Sequence, residues 1–514
     1  AVMTGTPLKA WQWGTYALLV VYPMLMIALA TSSGPGISAD SVSYAAAATS
    51  FADSGQLVSY DGSSLTLFPP GLSVLVGAFI ALGVSLDLAV VVVNVVATGV
   101  TVVATFSLGR IVLRSNGWAL GAMAVVALSS STISIGSFFW TEPVFTALIT
   151  VILLLLTRAV VFGRFSWPVL VTVGVLVSVA TTFRYVGVVA VPLVVAVVAW
   201  RAGQQRLLKG LAAGAISVLG FAAVALRNVL HGAPPLGERY PGSVGLEGAL
   251  QGLVRTWGDY VAPEQTTSLT IVAGSVVAIV VLLGMWVVLI SRDAAGLVLA
   301  AFVVMYWASI VFSQVGTRLD VDSERFGAPA LAPTAILVLL AIRALLRAMA
   351  EQLDRSGLLH KGVGHFFLAT AAVLVAIAVA SLSVLHSVRF VVDGRNNGLG
   401  LNSTSATNSD IAQAAISAPE GLAVASNDPW TVWWNRGGVV LSYPPSRSDW
   451  PDARIESDID RLKDVLLADG RVVVLVDSTG PAYLDQEELM ADGIEFQQFG
   501  SVGSVVMGDA LPIK

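Results

Sequence analysis

The sequence predicts an α-helical polytopic membrane protein with a small C-terminal α/β domain. Three observations predict it. Of 514 residues, 56% are hydrophobic and 12% charged, against about 25% charged in a typical soluble chain. Several apolar runs approach the roughly 20 residues that cross a bilayer core. The charges between those runs alternate in character, basic on one side and mostly acidic on the other. The net charge of −5 says little beside that distribution. With no cysteine in the chain, no disulfide is available and the redox compartment cannot be read from thiols.

The opening AVMTGTPLKA carries no cleavable-signal pattern, so the first apolar run is expected to stay as a span. Span one covers about 14–31, with Lys9 on its inner side. Thr31 to Gly71 follows, a polar stretch holding Asp40, Asp53 and Asp61 and ending in Phe68-Pro69-Pro70-Gly71. Polar loops this long, about 40 residues, are usually functional or disordered. Asp40 can cap a short helix over Ser41–Phe51, with Tyr44 on the same face at i+4. Phe68 to Gly83 is apolar but short, and reads as a helix lying at the outer surface.

Further spans are expected at about 88–108, 117–135, 143–161, 167–182, 186–200, 210–226, 268–290, 295–312, 328–346 and 365–388, about 11 in all. This model puts every inner loop on basic residues: Arg110 and Arg114; Arg158 and Arg164; Arg201, Arg206 and Lys209; Arg292; Arg347, Arg355 and Lys361. It makes the N-terminus cytoplasmic and the C-terminus extracytoplasmic. Domain boundaries are expected at 1–388 for the membrane catalytic domain, with its outer loop 31–71, at 389–410 for a linker, and at 411–514 for a soluble domain. That last domain alternates strands (Gly421–Ser426, Val439–Ser442, Arg471–Asp477, Glu495–Phe499, Ser504–Met507) with helices (Pro429–Arg436, Ile455–Ala468, Tyr483–Ala491). Asn402-Ser403-Thr404 is a glycosylation sequon too common to carry weight.

Ionisable residues at loop–span junctions are functional candidates, because a bilayer is a costly solvent for charge. On the outer side these are Asp40, Glu142, Arg184, His231, Arg239, Arg255, Asp259, Arg318, Asp320, Asp322, Glu324 and Arg325. A carboxylate can take a proton from a hydroxyl, and a guanidinium can hold a phosphate bidentately. Together they suit a reaction whose leaving group is a lipid-linked phosphate. No P-loop, GxGxxG, zinc or serine-nucleophile motif occurs. Ordinary solvated loop charges are the bland alternative.

Five segments, in order, resemble the polytopic GT-C glycosyltransferases, especially the branch of the protein O-mannosyltransferases and the lipid A aminoarabinose transferase. They are Asp40-Ser41-Val42-Ser43-Tyr44, Phe68-Pro69-Pro70-Gly71, Thr141-Glu142-Pro143, Thr182-Phe183-Arg184-Tyr185-Val186-Gly187 and Glu324-Arg325-Phe326-Gly327-Ala328-Pro329. The resemblance implies an inverting, extracytoplasmic transfer from a polyprenyl-phosphate sugar to an acceptor hydroxyl, with Asp40 as general base. Arg325 and Arg184 would hold the donor phosphate, and Tyr44, Glu142, His231 and Arg239 would contact substrate. The partners implied are the lipid-linked donor, a glycan, lipid or protein acceptor, and the bilayer; no nucleic acid is implied. Ser41 stands where relatives with an acidic pair carry a second acid, which argues against a metal role for the pair and against protein O-mannosylation; no cofactor is certain, and a divalent cation is the one option. Richness in Ala, Val and Gly suits a high-GC bacterium, for which mannose or arabinofuranose is the expected sugar in cell-envelope glycan biosynthesis. The alternative is a lipid or glycolipid transporter or flippase. Against it stand the lack of internal repeats and of matched broken helices.

Overall fold

The structure is a computed structural model. It describes residues 7–242, 244–262, 266–319, 324–356, 363–447 and 450–512. The expected sites Asp320 and Asp322 lie outside them.

Helix α1 spans Ala10–Ala30, α2 Ala39–Ser54, α3 Gly71–Ala81, α4 Leu86–Leu113, α5 Asn116–Ala127, α6 Ser130–Ser137 and α7 Glu142–Phe162. Next come α8 Trp167–Phe183, a 3₁₀ turn Tyr185–Val189, α9 Ala190–Arg201, α10 Arg206–Leu230, α11 Leu246–Asp259, α12 Thr267–Ser291 and α13 Ala294–Gly316. A second 3₁₀ turn, Glu324–Gly327, leads into α14 Ala328–Ser356, and α15 covers Val363–Asn397. Eight of these helices are long and apolar enough to cross a membrane, nine if the bent pair α5–α6 counts as one span. Expected spans five and six correspond to the shorter Trp167–Phe183 and Tyr185–Arg201. Helix α3, at 11 residues, extends only about 16 Å and cannot cross.

Two compact units form: Ala1–Ala30 with Val91–Val392, and Thr31–Val90 with Asp393–Lys514. In the first, expected span three is broken. Helices α5 and α6 meet at 48°, and the backbone groups freed at the break need partners in an apolar setting. The Ser383 hydroxyl of α15 supplies both: it donates to the Leu128 carbonyl at 2.7 Å and accepts from the Ser130 amide at 3.1 Å. Elsewhere small residues let helix backbones touch. A Cβ placed on Gly274 would overlap the Val254 carbonyl, and one on Gly258 the Thr270 carbonyl, so α11 and α12 approach to backbone contact at these two glycines.

In the second unit the loop 31–71 packs with the C-terminal domain. Helix α15 runs on to Asn397, into the stretch expected as linker. Short α16 (Thr404–Thr407) and α17 (Asp410–Ser417) follow, then β1 Val424–Ser426, α18 Pro429–Arg436, β2 Val440–Ser442, α19 Asp452–Asp469, β3 Val472–Asp477, α20 Gln486–Ala491, β4 Ile494–Val502 and β5 Val505–Pro512. The last two strands are longer than expected and pair as an antiparallel ribbon through a bulge near Gln498–Gly500. Sheet order is β2-β1-β3-β5-β4, with β1 parallel to both β2 and β3 and β3 antiparallel to β5. Strand β3 is buried on both faces, as its unbroken Val/Leu run requires. Val472, Val474 and Val476 meet Ile455, Ile459, Leu462 and Leu466 of α19. Val473 and Leu475 meet Ile411, Ala414 and Ala415 of α17 and Val432 of α18.

Candidate active site

Glu142 opens α7, directly before Pro143 at a position Pro favours. A carboxylate there meets the positive end of the helix dipole. Its side chain is only 1% exposed, so its charge requires partners. Two arginines provide them. Arg184 ends α8 in an extended conformation, φ −147° and ψ 132°, which turns the chain out of the helix. Its Nη1 donates to Glu142 Oε1 and, at 3.2 Å, to Thr141 Oγ1. Arg325 lies in the 3₁₀ turn before α14 and donates from Nε to the same Oε1 at 2.8 Å. Thr141 Oγ1 donates to Glu142 Oε2 at 3.3 Å. Both guanidiniums are 14–15% exposed.

Aromatic rings wall this cluster. The Arg325 Cζ lies 4.9 Å from the Trp140 ring centre and 5.5 Å from that of Phe326, and the Arg184 Cζ lies 5.4 Å from Phe326. Such contacts hold a guanidinium plane while leaving its edge to hydrogen-bond. The turn carrying Arg325 is itself pinned. Tyr260 Oη donates to the Glu324 carbonyl at 2.8 Å, Tyr306 Oη to the Phe326 carbonyl at 2.7 Å, and Ser131 Oγ to Glu324 Oε2 at 2.5 Å. Burial pushes the Tyr260 phenol well above its ordinary range, so it remains a donor. Sequence reasoning missed these three supports. Their signal was faint: a hydroxyl on an apolar helix is common, and nothing local points it at residue 324.

The structure therefore brings together Glu142, Arg184 and Arg325. Arg239 instead lies against Tyr185, its Cζ 5.6 Å from that ring centre, and the Tyr185 hydroxyl accepts from Asn228 Nδ2 at 2.8 Å. His231 is exposed at the end of α10, where its Nδ1 stands 2.9 Å from the Arg227 carbonyl. It does not join the cluster by any hydrogen bond in the described residues.

Asp40 and Tyr44 belong to α2. The expected cap is corrected here: Ser38, not Asp40, is the N-cap, and Ser38 and Ser41 satisfy each other's amides in a capping box. The helix starts at Ala39, two residues before its expected first residue Ser41, and leaves Asp40 in its first turn, partly exposed. Tyr44 is 3% exposed, its ring centre 5.1 Å from that of Phe68. The Ser73 hydroxyl donates to the Tyr44 carbonyl at 3.1 Å and ties α3 to α2. Among the described residues no group of three or more His, Asp or Glu side chains could hold a metal ion.

No protein-family model matches the chain, and no curated protein matches it in sequence. Solved structures do. ArnT from Cupriavidus metallidurans bound to undecaprenyl phosphate superposes with a TM-score of 0.58 at 13% identity, over 98% of each chain. Its apo form gives 0.59 at 14%, over 97% of this chain and 98% of that one. The archaeal oligosaccharyltransferase AglB from Archaeoglobus fulgidus, in complex with an inhibitory peptide and a dolichol-phosphate, gives 0.58 at 13%, over 91% of this chain and 69% of that one. At such identities the likeness speaks to the fold alone, which this chain shares with the ArnT and AglB structures.

Proposed function

We propose that this chain is a membrane glycosyltransferase that moves a sugar from a polyprenyl-phosphate donor to an acceptor hydroxyl on the extracytoplasmic side. One observation carries the reading: the end-to-end match to ArnT, a structure that holds undecaprenyl phosphate. The buried pair of arginines on Glu142 supports it from the residues themselves. In this reading Asp40 takes the proton from the acceptor hydroxyl as its oxygen attacks the anomeric carbon. The bond from that carbon to the phosphate oxygen breaks, the anomeric centre inverts, and polyprenyl phosphate leaves with the electron pair. Arg325 and Arg184 bind the phosphate and stabilise its growing charge. Glu142 holds both guanidiniums in place, and Arg239 and His231 are outlying substrate contacts. Tyr44 backs the helix that carries the base. Mannose or arabinofuranose is the proposed sugar, and a glycan, lipid or protein hydroxyl the acceptor.

The test is a purified, liposome-reconstituted preparation given a polyprenyl-phosphate mannose or arabinofuranose and a mixture of hydroxyl acceptors. Acceptor-dependent release of free polyprenyl phosphate is expected. Intact donor crossing the bilayer with no cleavage would instead support a transporter.

A further inference from the structure

The loop 31–71 is fastened to the C-terminal domain at two places, and the helix carrying Asp40 hangs between them. The first fastening precedes α2. Ile37 forms a parallel bridge with Gly400, its amide donating to the Leu399 carbonyl at 3.4 Å and its carbonyl accepting from the Leu401 amide at 2.8 Å. Gly400 has φ +58°, and a Cβ there would overlap the Ile37 carbonyl, so the close approach requires glycine. Beside it Asn402 Nδ2 donates to the Pro35 carbonyl at 2.7 Å, while Asn402 Oδ1 accepts from Trp434 Nε1 of α18 at 2.8 Å. Both ends of the sequon amide are thereby engaged.

The second fastening follows α2. Arg461 of α19 pairs with Asp61 at 2.6 Å and also donates to the Asp61 carbonyl at 3.3 Å. Next to it the Val440 amide of β2 donates to the Tyr60 carbonyl at 3.0 Å, and the Tyr60 ring packs against the core beneath the sheet. That backbone bond caps one amide on the outer edge of the edge strand β2.

We propose that the C-terminal domain is a positioning module: it holds α2 at both ends and thereby sets the place of Asp40. The inference rests on the reading of Asp40 as the base. Arg461, Asn402 and Trp434 act through the loop and are positioning residues, not catalytic ones. This assigns the domain a role in the transfer step and not in donor capture. A shift of about 1 Å in a reacting group can cost on the order of a hundredfold in rate, so loosening one fastening has a kinetic signature.

The experiment compares full-length Arg461→Ala, Trp434→Phe and the charge swap Asp61→Arg with Arg461→Asp. Amide hydrogen exchange over residues 39–54 is measured beside kcat and the donor KM. Arg461→Ala is expected to speed exchange in α2 and lower kcat about tenfold with the donor KM held, and the swap to recover most of both. Trp434→Phe, which keeps an aromatic ring of smaller size and removes the Nε1 donor, should do the same more weakly. It carries the test if β3 amides show that Arg461→Ala has unfolded the domain. Unchanged exchange in α2 overturns the positioning role. Faster exchange in α2 with unchanged kcat keeps the fastening but removes Asp40 from the chemistry, and so contradicts the catalytic reading separately.

Discussion

Arg325 donates from Nε to Glu142 Oε1 across 2.8 Å, although the two lie 183 residues apart. That same oxygen also receives Arg184. One buried carboxylate therefore fixes two cations whose positive charges would otherwise repel in a site of low polarity.

Glu142→Gln should leave those guanidiniums without a counter-charge. Breaking a buried ion pair by removing one partner costs about 3–5 kcal/mol. The expected outcome is a clear drop in the unfolding midpoint of the purified protein and weaker donor binding. An unchanged midpoint would show that the two arginines find other partners.

Arg325→Ala should weaken donor binding at least tenfold while leaving the acceptor KM near wild type, because a charge-assisted phosphate contact contributes about 1.5–3 kcal/mol. Isothermal titration with a non-transferable polyprenyl-phosphate analogue measures it. Unaltered donor affinity in a folded variant would move the phosphate role to Arg184.

Gly274→Val tests packing alone. The Val254 carbonyl occupies the place of any side chain there, so α11 and α12 must separate, at a cost of about 1–3 kcal/mol. Thermal unfolding should begin earlier, and hydrogen exchange should rise in 246–259. Gly274→Ala should show a smaller effect of the same sign.

Asp458 supplies a pH dependence. It faces Arg454 at 2.9 Å, with Arg461, Asp61 and Tyr60 also around it. Burial pushes its carboxyl up to about 7 despite Arg454. Between about pH 4 and 7 the unfolded chain releases this proton while the folded chain keeps it, so stability falls as pH rises through that window. Above it the loss stays constant. Asp458→Asn should flatten that fall and stabilise strand β3 at pH 8 by about 1–2 kcal/mol, read from hydrogen exchange corrected for intrinsic rates. A β3 stability that depends on pH as steeply in Asp458→Asn as in wild type would contradict the assignment.

Much of the fold was legible because apolar runs and their basic flanks are local properties. Helices α7, α8, α12 and α13 begin and end within a few residues of expectation. The break at Leu128–Ser129 was not, since both halves read as one apolar run and the hydroxyl that closes it is Ser383, 253 residues from Ser130. The cap of α2 was misread because Ser38 and Asp40 are both good caps, and the reciprocal bond with Ser41 decides between them. Glu142, Arg184 and Arg325 were each visible as charges at span starts. That they share a single oxygen is a tertiary fact. Asp61 showed only as a loop carboxylate, because its partner Arg461 is 400 residues away.

The most direct measurement is turnover by Asp40→Asn. The substitution preserves size and leaves the Ser38 cap untouched, but removes the proposed base. Loss of general-base catalysis typically costs about 10²–10⁴ in rate. With donor binding and unfolding midpoint near wild type, the initial rate of polyprenyl-phosphate release from a sugar donor should fall by that factor. A purified Asp40→Asn variant that turns over within about tenfold of wild type would contradict the account.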